Sequence, residues 1–125
     1  MNDFFYKKVD AYHIAKEYVL YVYSLLKNYP QYENHALCDQ IRRSIVSVPS
    51  NLAEGSGRIS IKEQLHFYEI SYGSLMESYC QLILASDLNY IGTADLDRLR
   101  PQIDTVARML NGLRSSLLKT VNSKP

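Results

Sequence analysis

The sequence has no tryptophan, only two cysteines, and no apolar run of about 18 residues, the length from which a membrane span is inferred. Charged residues interrupt the apolar residues of the N-terminal stretch, which excludes a secretory signal. Cys38 and Cys80 lie far apart on predicted helices, where we expect buried, reduced thiols rather than a disulfide or a metal pair. These absences favour a cytoplasmic protein that does not bind membranes.

The charges are nearly balanced overall but unevenly distributed along the chain. The formal net charge is +1 and the isoelectric point is about 7.7, well short of the strongly basic domain that is typical of nucleic-acid binding. Residues 60–97 carry one Lys against six acids, whereas residues 98–125 carry six Lys or Arg against Asp104 alone. We interpret this asymmetry as complementarity between the two segments, within one subunit or between subunits. A nucleic-acid surface is the alternative.

Four helical segments account for nearly the whole chain. A chain of 125 residues is long enough for one domain with its own core, which we assign to residues 1–125. Apolar residues recur at helical spacing at about 5–28, 33–55, 60–89 and 94–119, and strand patterns are nearly absent. Short turns between such helices predict an all-α, antiparallel up-down-up-down four-helix bundle. The predicted core face of the first segment contains Val9, Tyr12, Val19, Val22 and Leu26. The predicted seam of the fourth contains Leu96, Leu99, Ile103, Val106, Leu110, Leu113 and Leu117.

The second segment combines an apolar stripe, a proline and a small-residue end. Its stripe consists of Ile41, Ile45, Val48 and Leu52. Pro49 lacks the amide N–H that would bond the preceding turn, so we expect the helix to bend there. Gly55 and Gly57 are predicted to end the helix, and Ser60 with Glu63 forms a capping box that begins the next one. The residues assigned to this structural motif are Pro49, Asn51, Glu54, Gly55, Gly57, Ser60 and Glu63.

The sequence offers no recognisable catalytic or cofactor pattern. A di-iron bundle needs two Glu-x-x-His pairs, and only Glu63 with His66 has that spacing. The cysteines and histidines form no nucleophilic triad. The segment Asn51–Gly57 lacks the Gly-Lys-Ser/Thr of a phosphate-binding loop. We therefore expect no enzyme activity, no metal, no cofactor and no small-molecule substrate.

A few basic residues remain as candidates for function. The candidate contacts to nucleic acid or a partner are Arg42, Arg43, Arg58, Lys62, Arg108 and Arg114. Guanidinium groups bind phosphate bidentately, which is the functional interpretation. Ion pairing with acids such as Glu54, Glu63 or Glu69 is the structural alternative. It is favoured because a phosphate-binding surface combines more cations on one face.

Several motifs together resemble one known family. They are Gln40-Ile41-Arg42-Arg43, Ser47-Val48-Pro49-Ser50-Asn51-Leu52-Ala53-Glu54-Gly55, Gly57-Arg58 and Phe67-x5-Gly73-Ser74-Leu75-x-Glu77. They are similar to motifs of the bacterial four-helix bundle family encoded in intervening sequences of 23S ribosomal RNA. The likeness extends from about Val9 to Leu117. Pro101 departs from it, because the family's fourth helix usually continues through this position, so we expect a kink near the start of that helix.

The resemblance implies a left-handed antiparallel bundle that assembles into a ring-like homopentamer, with no enzymatic activity and no cofactor. It also implies kinship with the accessory variability proteins of diversity-generating retroelements. Those proteins are pentameric and bind a reverse transcriptase and nucleic acid through a strongly basic surface, whereas this chain is much less basic. The leading hypothesis is a cytoplasmic, non-enzymatic oligomeric scaffold whose partner is RNA or a ribonucleoprotein. The alternative is a protein–protein adaptor that binds no nucleic acid.

Overall fold

The computed structural model describes the backbone of residues 3–122 and the side chains of residues 7–121. Over this range the chain forms four α-helices and one short 3-10 helix, and it contains no β-strand. The α-helices are α1 (Asp3–Leu26), α2 (Leu37–Ser56), α3 (Ile61–Asp87) and α4 (Thr93–Asn122), and the 3-10 helix is Gln31–Glu33. The predicted all-α four-helix fold is confirmed.

Each helix packs against two neighbours, so that the four helices close into a square. α2 and α4 each contact both α1 and α3, whereas α1 and α3 occupy opposite corners, as do α2 and α4. α2 and α3 are antiparallel, because Ser47 Oγ lies 2.7 Å from Ser74 Oγ while Ser56, later in α2, bonds Tyr68, earlier in α3, over 3.2 Å. Tyr21, late in α1, donates to Asp95, early in α4, over 3.3 Å, and Arg114, late in α4, lies 3.5 Å from Glu69, early in α3. Both α1 and α3 are therefore antiparallel to α4 and run in the same direction.

The connection between α1 and α2 is longer than predicted. α1 ends at Leu26, and the Tyr29 N–H donates to the Leu26 carbonyl over 3.2 Å in a closing turn. Residues 31–33 form the 3-10 helix rather than the first turn of α2. α2 begins only at Leu37 because Ala36 has a non-helical backbone, with φ −120° and ψ −102°.

The turn between α3 and α4 is tight. Asn89 adopts a left-handed φ of 64°, a conformation that asparagine tolerates, and reverses the chain after α3. α4 begins at Thr93, although the predicted start at about residue 94 would make Thr93 the residue before the first turn. The cap position belongs instead to Gly92: its carbonyl accepts from Leu96 N over 3.2 Å, and its N–H donates to Asp95 Oδ2 over 3.3 Å.

The core follows the predicted faces of α2 and α4. All seven predicted seam residues of α4, from Leu96 to Leu117, are buried, and the four stripe residues of α2 are 1% exposed or less. Polar residues predominate on the remaining faces of both helices, with Val46, Leu118 and Val121 as exposed exceptions, so a single continuous apolar stripe identifies the buried side. These two predictions are confirmed.

The buried face of α1 differs from the predicted one. Ala11, Ala15 and Tyr18 are fully buried, whereas Val9 and Tyr12 are 36% and 39% exposed. The other predicted residues of α1 are buried or half-buried. Alanine side chains let α1 approach its neighbours closely and leave room for the Tyr18 ring. The prediction gave weight to the larger apolar residues and did not separate two apolar faces on this helix.

One hydrogen bond crosses the core between the opposite corners α1 and α3. Tyr18 OH lies 2.7 Å from Ser78 Oγ, and Ser78 Oγ donates to the Leu75 carbonyl over 2.7 Å. Because the serine proton is used in that second bond, the Tyr18 phenol is the donor to Ser78. Burial raises the pKa of Tyr18 well above its usual range. The bond satisfies two buried hydroxyl groups at the centre of the bundle.

Two prolines lie inside the uninterrupted helices α2 and α4. Next to Pro49, the Val48 carbonyl accepts a hydrogen bond from Ser71 Oγ of α3 over 2.7 Å. In α4, Thr105 Oγ1 donates to the Pro101 carbonyl over 2.8 Å. Side-chain donors thus supplement the backbone ladder around both prolines. The bends expected at these positions stay predictions.

Gly55 is a packing position rather than the end of α2. A Cβ on Gly55 would lie 2.9 Å from Tyr68 Cε1 and 3.0 Å from Phe67 Cβ, so the α2–α3 interface has no room for a side chain there. The helix continues to Ser56, and Gly57 is its C-cap. The prediction that Gly57 closes the helix is confirmed, and the same prediction for Gly55 is wrong.

Candidate functional site

Arg58 lies in a cluster of side chains at the turn between α2 and α3. Its guanidinium forms an ion pair with Glu54, and its Nη1 lies 3.9 Å from Glu63 Oε2. The guanidinium carbon also lies 4.9 Å from the centre of the Phe67 ring. Ser60 Oγ accepts from Glu63 N over 3.3 Å, which is one of the two bonds of the predicted capping box. The Glu63 carboxylate faces Arg58, so this cluster braces the turn.

Replacement of Arg58 by glutamine is expected to lower the free energy of unfolding by less than about 1 kcal/mol, because the ion pairs are exposed to solvent. Arg43→Gln is the matched control, since Arg43 is exposed and has no ion pair with side chains 7–121. Urea unfolding of both variants at low and high salt measures the difference. A loss that stays the same at 1 M salt would contradict an electrostatic origin.

Three other predicted cations are also paired within the chain. Arg42 Nη1 lies 3.0 Å from Asp39 Oδ1 and donates to the Asn34 carbonyl over 3.0 Å. Arg108 lies 2.7 Å from Asp104 Oδ2 in the same helix. Arg114 of α4 lies 3.5 Å from Glu69 of α3, so this contact joins the acidic and the basic segment between two helices of the subunit. Pairing with Glu54, Glu63 and Glu69 was the structural alternative, and it is confirmed for all three acids.

Arg43 and Lys62 are the two candidates without a partner among side chains 7–121. Both are exposed, Arg43 near the start of α2 and Lys62 in the first turn of α3. Because α2 and α3 are antiparallel, the two residues lie toward opposite ends of the bundle. They do not form a joint phosphate site within one subunit. The role of all six cations in binding stays a prediction.

Asn51, in the middle of the sequence motif, contributes to the α2–α3 interface. Its Nδ2 donates to the Ser47 carbonyl over 2.9 Å and to Ser47 Oγ over 2.8 Å. Ser47 Oγ in turn contacts Ser74 of α3. Close by, Ser44 Oγ donates to Gln81 Oε1 over 2.7 Å. The conspicuous sequence of this segment therefore serves helix packing.

A cleft of about 480 Å³ opens at the α1–α2 connection, with Tyr23, Lys27 and Arg42 in its wall. Its buried thiol, Cys38, is free, and burial raises the pKa of that thiol, so the thiol stays neutral and is a poor nucleophile. Tyr29 also lines the cleft, and burial together with the nearby Cys38 raises its pKa. Tyr29 OH has no hydrogen-bond partner in the described part of the chain.

Neither metal binding nor membrane crossing is indicated by the described residues. No group of three His, Cys, Asp or Glu side chains comes together there in an arrangement that holds a metal ion. Between residues 3 and 122, no helix combines the length and the apolar composition that a bilayer span requires.

Sequence reasoning missed two surface stripes that face outward from opposite corners of the bundle. The α1 stripe consists of Val9, Tyr12, Lys16, Leu20, Tyr23 and Lys27. The α3 stripe consists of Ile70, Gly73, Glu77, Cys80, Leu84, Asp87 and Leu88. Every member is exposed, including Leu20 at 60% and Leu84 at 49%. Within α1 and α3, steps of three and four residues place the members of each set on one helical face, and Lys27 and Leu88 directly follow the helix ends. A second apolar period in the sequence of each helix therefore indicates its stripe.

Cys80 belongs to the α3 stripe and is exposed, so the prediction that both cysteines are buried is wrong for Cys80. The residue occupies the face of α3 opposite its core residues Leu75 and Leu82. Helical spacing alone separates these faces, and the sequence reasoning did not apply it to the cysteines.

Comparison with known protein families confirms the family that the sequence motifs resemble. The family described as "23S rRNA-intervening sequence protein" matches residues 7–112. This range covers most of α1, all of α2 and α3, and about two-thirds of α4. No curated protein matches the chain.

Proposed function

The chain belongs to the 23S rRNA-intervening sequence protein family, and we propose that it is a non-enzymatic subunit of a cytoplasmic homo-oligomeric scaffold, a pentamer. The supporting observation is the pair of outward stripes on α1 and α3. Leu20, Tyr23, Leu84 and Leu88 are each 40% to 60% exposed, although α1 and α3 already bury another apolar face in the core. Helices that are apolar on two faces are typical of elements covered on both sides.

The partner of this scaffold, in our proposal, is RNA or a ribonucleoprotein. One subunit offers only Arg43 and Lys62 as unpaired candidate cations among its described side chains. An oligomer repeats both residues in every subunit, and repeated weak sites on one particle bind a long polyanion far more tightly than a single site. Assembly thus compensates for the modest net charge of +1. The alternative function, a protein–protein adaptor without nucleic acid, is favoured by the ion pairs that neutralise Arg42, Arg58, Arg108 and Arg114.

Light scattering on the purified protein, with absorbance at 260 and 280 nm on the same peak, tests assembly and nucleic acid together. We expect a mass five times that of the 14.4 kDa subunit. A fluorescent single-stranded RNA should bind with an affinity that falls steeply with salt. The double variant Arg43→Glu/Lys62→Glu should keep the mass and lose most of that affinity. A monomeric protein would contradict the scaffold. If RNA binding is absent or does not change with salt, the RNA proposal fails and the protein–protein adaptor remains as the function.

A further inference from the structure

We propose that the α1 stripe of one copy packs in parallel on the α3 stripe of the next copy; this pairing rests on the homo-oligomer proposed above and specifies its interface. The two stripes combine apolar residues with charges of opposite sign. The α1 stripe contains Lys16 and Lys27, and the α3 stripe contains Glu77 and Asp87. All four charged side chains are exposed, and none has an ion pair with side chains 7–121.

Opposite charge determines which stripes meet. Pairing α1 with α1, or α3 with α3, places like charges in one interface, which is unfavourable. Pairing α1 with α3 brings ammonium groups to carboxylates while the leucine and tyrosine side chains on both stripes leave water. A contact between two different faces of the same chain is head-to-tail, so each subunit joins two neighbours.

The residues of the two stripes match along their length when the helices run in parallel. The α1 stripe spans residues 9–27 and the α3 stripe spans 70–88, each roughly 27 Å at 1.5 Å per residue. In this register, with a constant offset of 61 residues, the facing positions are Val9 with Ile70, Tyr12 with Gly73, Lys16 with Glu77, Tyr23 with Leu84 and Lys27 with Leu88. Large residues thus meet a glycine or an aliphatic residue, Lys16 meets Glu77, and Lys27 lies one position from Asp87.

Gly73 provides a specific geometric reason for this register. A Cβ at Gly73 would meet nothing within 4 Å, in contrast to Gly55, so the packing of the subunit does not require a glycine there. Glycine inside a helix is less favourable than alanine. The open space above Gly73 lies opposite Tyr12 in the parallel register, and Tyr12 is 39% exposed. In the proposed interface, the Tyr12 ring of the neighbouring copy fills this open space above Gly73.

The topology of the bundle makes the parallel arrangement possible. α1 and α3 run in the same direction and occupy opposite corners. A rotation about an axis parallel to the bundle therefore brings α3 of one copy beside α1 of the next without inverting either copy. Repeating such a rotation produces a closed ring of upright bundles when its angle is a whole fraction of 360°, which is 72° for the proposed pentamer.

Charge reversal tests the pairing in the full chain. Lys16→Glu and Glu77→Lys should each raise the subunit concentration at half-dissociation at least tenfold, measured by light scattering over a dilution series. The double variant Lys16→Glu/Glu77→Lys should restore assembly. Glu17→Lys is the matched control, because Glu17 is exposed on the same helix one position outside the stripe. Circular dichroism confirms that each variant is folded.

The outcomes separate this pairing from the scaffold itself. If the unaltered chain is monomeric at every concentration, both the scaffold and the pairing are overturned. If the unaltered chain is oligomeric and both single reversals dissociate no more than Glu17→Lys, only the pairing is overturned. Gly73→Leu gives an independent readout, since it should weaken assembly at least tenfold. Gly112→Leu, on an equally open glycine of α4, should leave assembly unchanged. Equal effects at both glycines would also overturn the pairing.

Discussion

Above about pH 10 the free energy of unfolding is expected to fall by up to about 4 kcal/mol for each pH unit, because three buried phenols resist ionisation. Tyr18, Tyr29 and Tyr68 are 0%, 8% and 1% exposed. Burial raises the pKa of each of them above the ordinary value for tyrosine. In water the unfolded chain releases these protons near pH 10, whereas the folded chain holds them.

The sign of this dependence follows from proton binding. Below about pH 10 the folded and the unfolded chain both keep all three phenolic protons, so these groups do not make the free energy of unfolding depend on pH. Above it the folded state binds more protons than the unfolded state, and each further rise in pH favours unfolding. The loss continues until the pH exceeds the raised pKa values of the folded protein. Stability in mild acid should be unaffected by these three residues.

Urea unfolding followed by circular dichroism at pH 8 to 11.5 measures this loss. Tyr18→Phe is the informative variant because it removes one of the three phenols and keeps the ring. At pH 8 it should cost about 1 kcal/mol, the contribution of the hydrogen bond to Ser78. Above pH 10 the fall in its free energy of unfolding should be smaller than that of the unaltered chain by about 1.4 kcal/mol for each pH unit, the share of one phenol. A free energy of unfolding that stays constant up to pH 11.5 would contradict the prediction, because it would show that these phenols ionise as readily in the folded as in the unfolded chain.

The sequence predicts the fold well where a helix has one apolar face and poorly where it has two. In α4 every residue of the predicted seam, Leu96 to Leu117, is buried. In α1 the choice between faces depends on how closely neighbouring helices approach. The buried alanines at 11 and 15 mark that approach, but they are weaker signals than Val9 or Tyr12. The sequence periodicity of α1 is compatible with two apolar faces, and only packing against the neighbouring helices determines which face is buried.

Some ion pairs of the candidate contact residues can be predicted from the local sequence, whereas others depend on the tertiary structure. The pairs of Arg58 with Glu54 and of Arg108 with Asp104 lie four residues apart in sequence, so helical spacing alone indicates them. Arg114 with Glu69 depends on the antiparallel contact of α3 and α4 and has no sequence signature. Likewise, the sequence suggested that Gly55 ends the helix, because its close packing against the Tyr68 ring is visible only in the tertiary structure.

Gly55→Ala is expected to destabilise the chain by about 1–3 kcal/mol, although alanine is the better helix former. The added Cβ would lie 2.9 Å from Tyr68 Cε1 and 3.0 Å from Phe67 Cβ. Tyr68 is 1% exposed and its hydroxyl bonds Ser56 over 3.2 Å, so the ring has little freedom to withdraw. The contact joins α2 and α3, the helix pair with the most extensive packing.

Gly112→Ala is the matched control for this substitution. Its added Cβ meets no atom within 4 Å, so the change should stabilise the subunit by up to about 1 kcal/mol through helix propensity. Thermal unfolding compares the two variants under one condition. The steric cause is tested in a Tyr68→Leu background, where the smaller side chain leaves room for the methyl group. There the cost of Gly55→Ala should fall by at least half, and an unchanged cost would place the strain in the backbone of α2 instead.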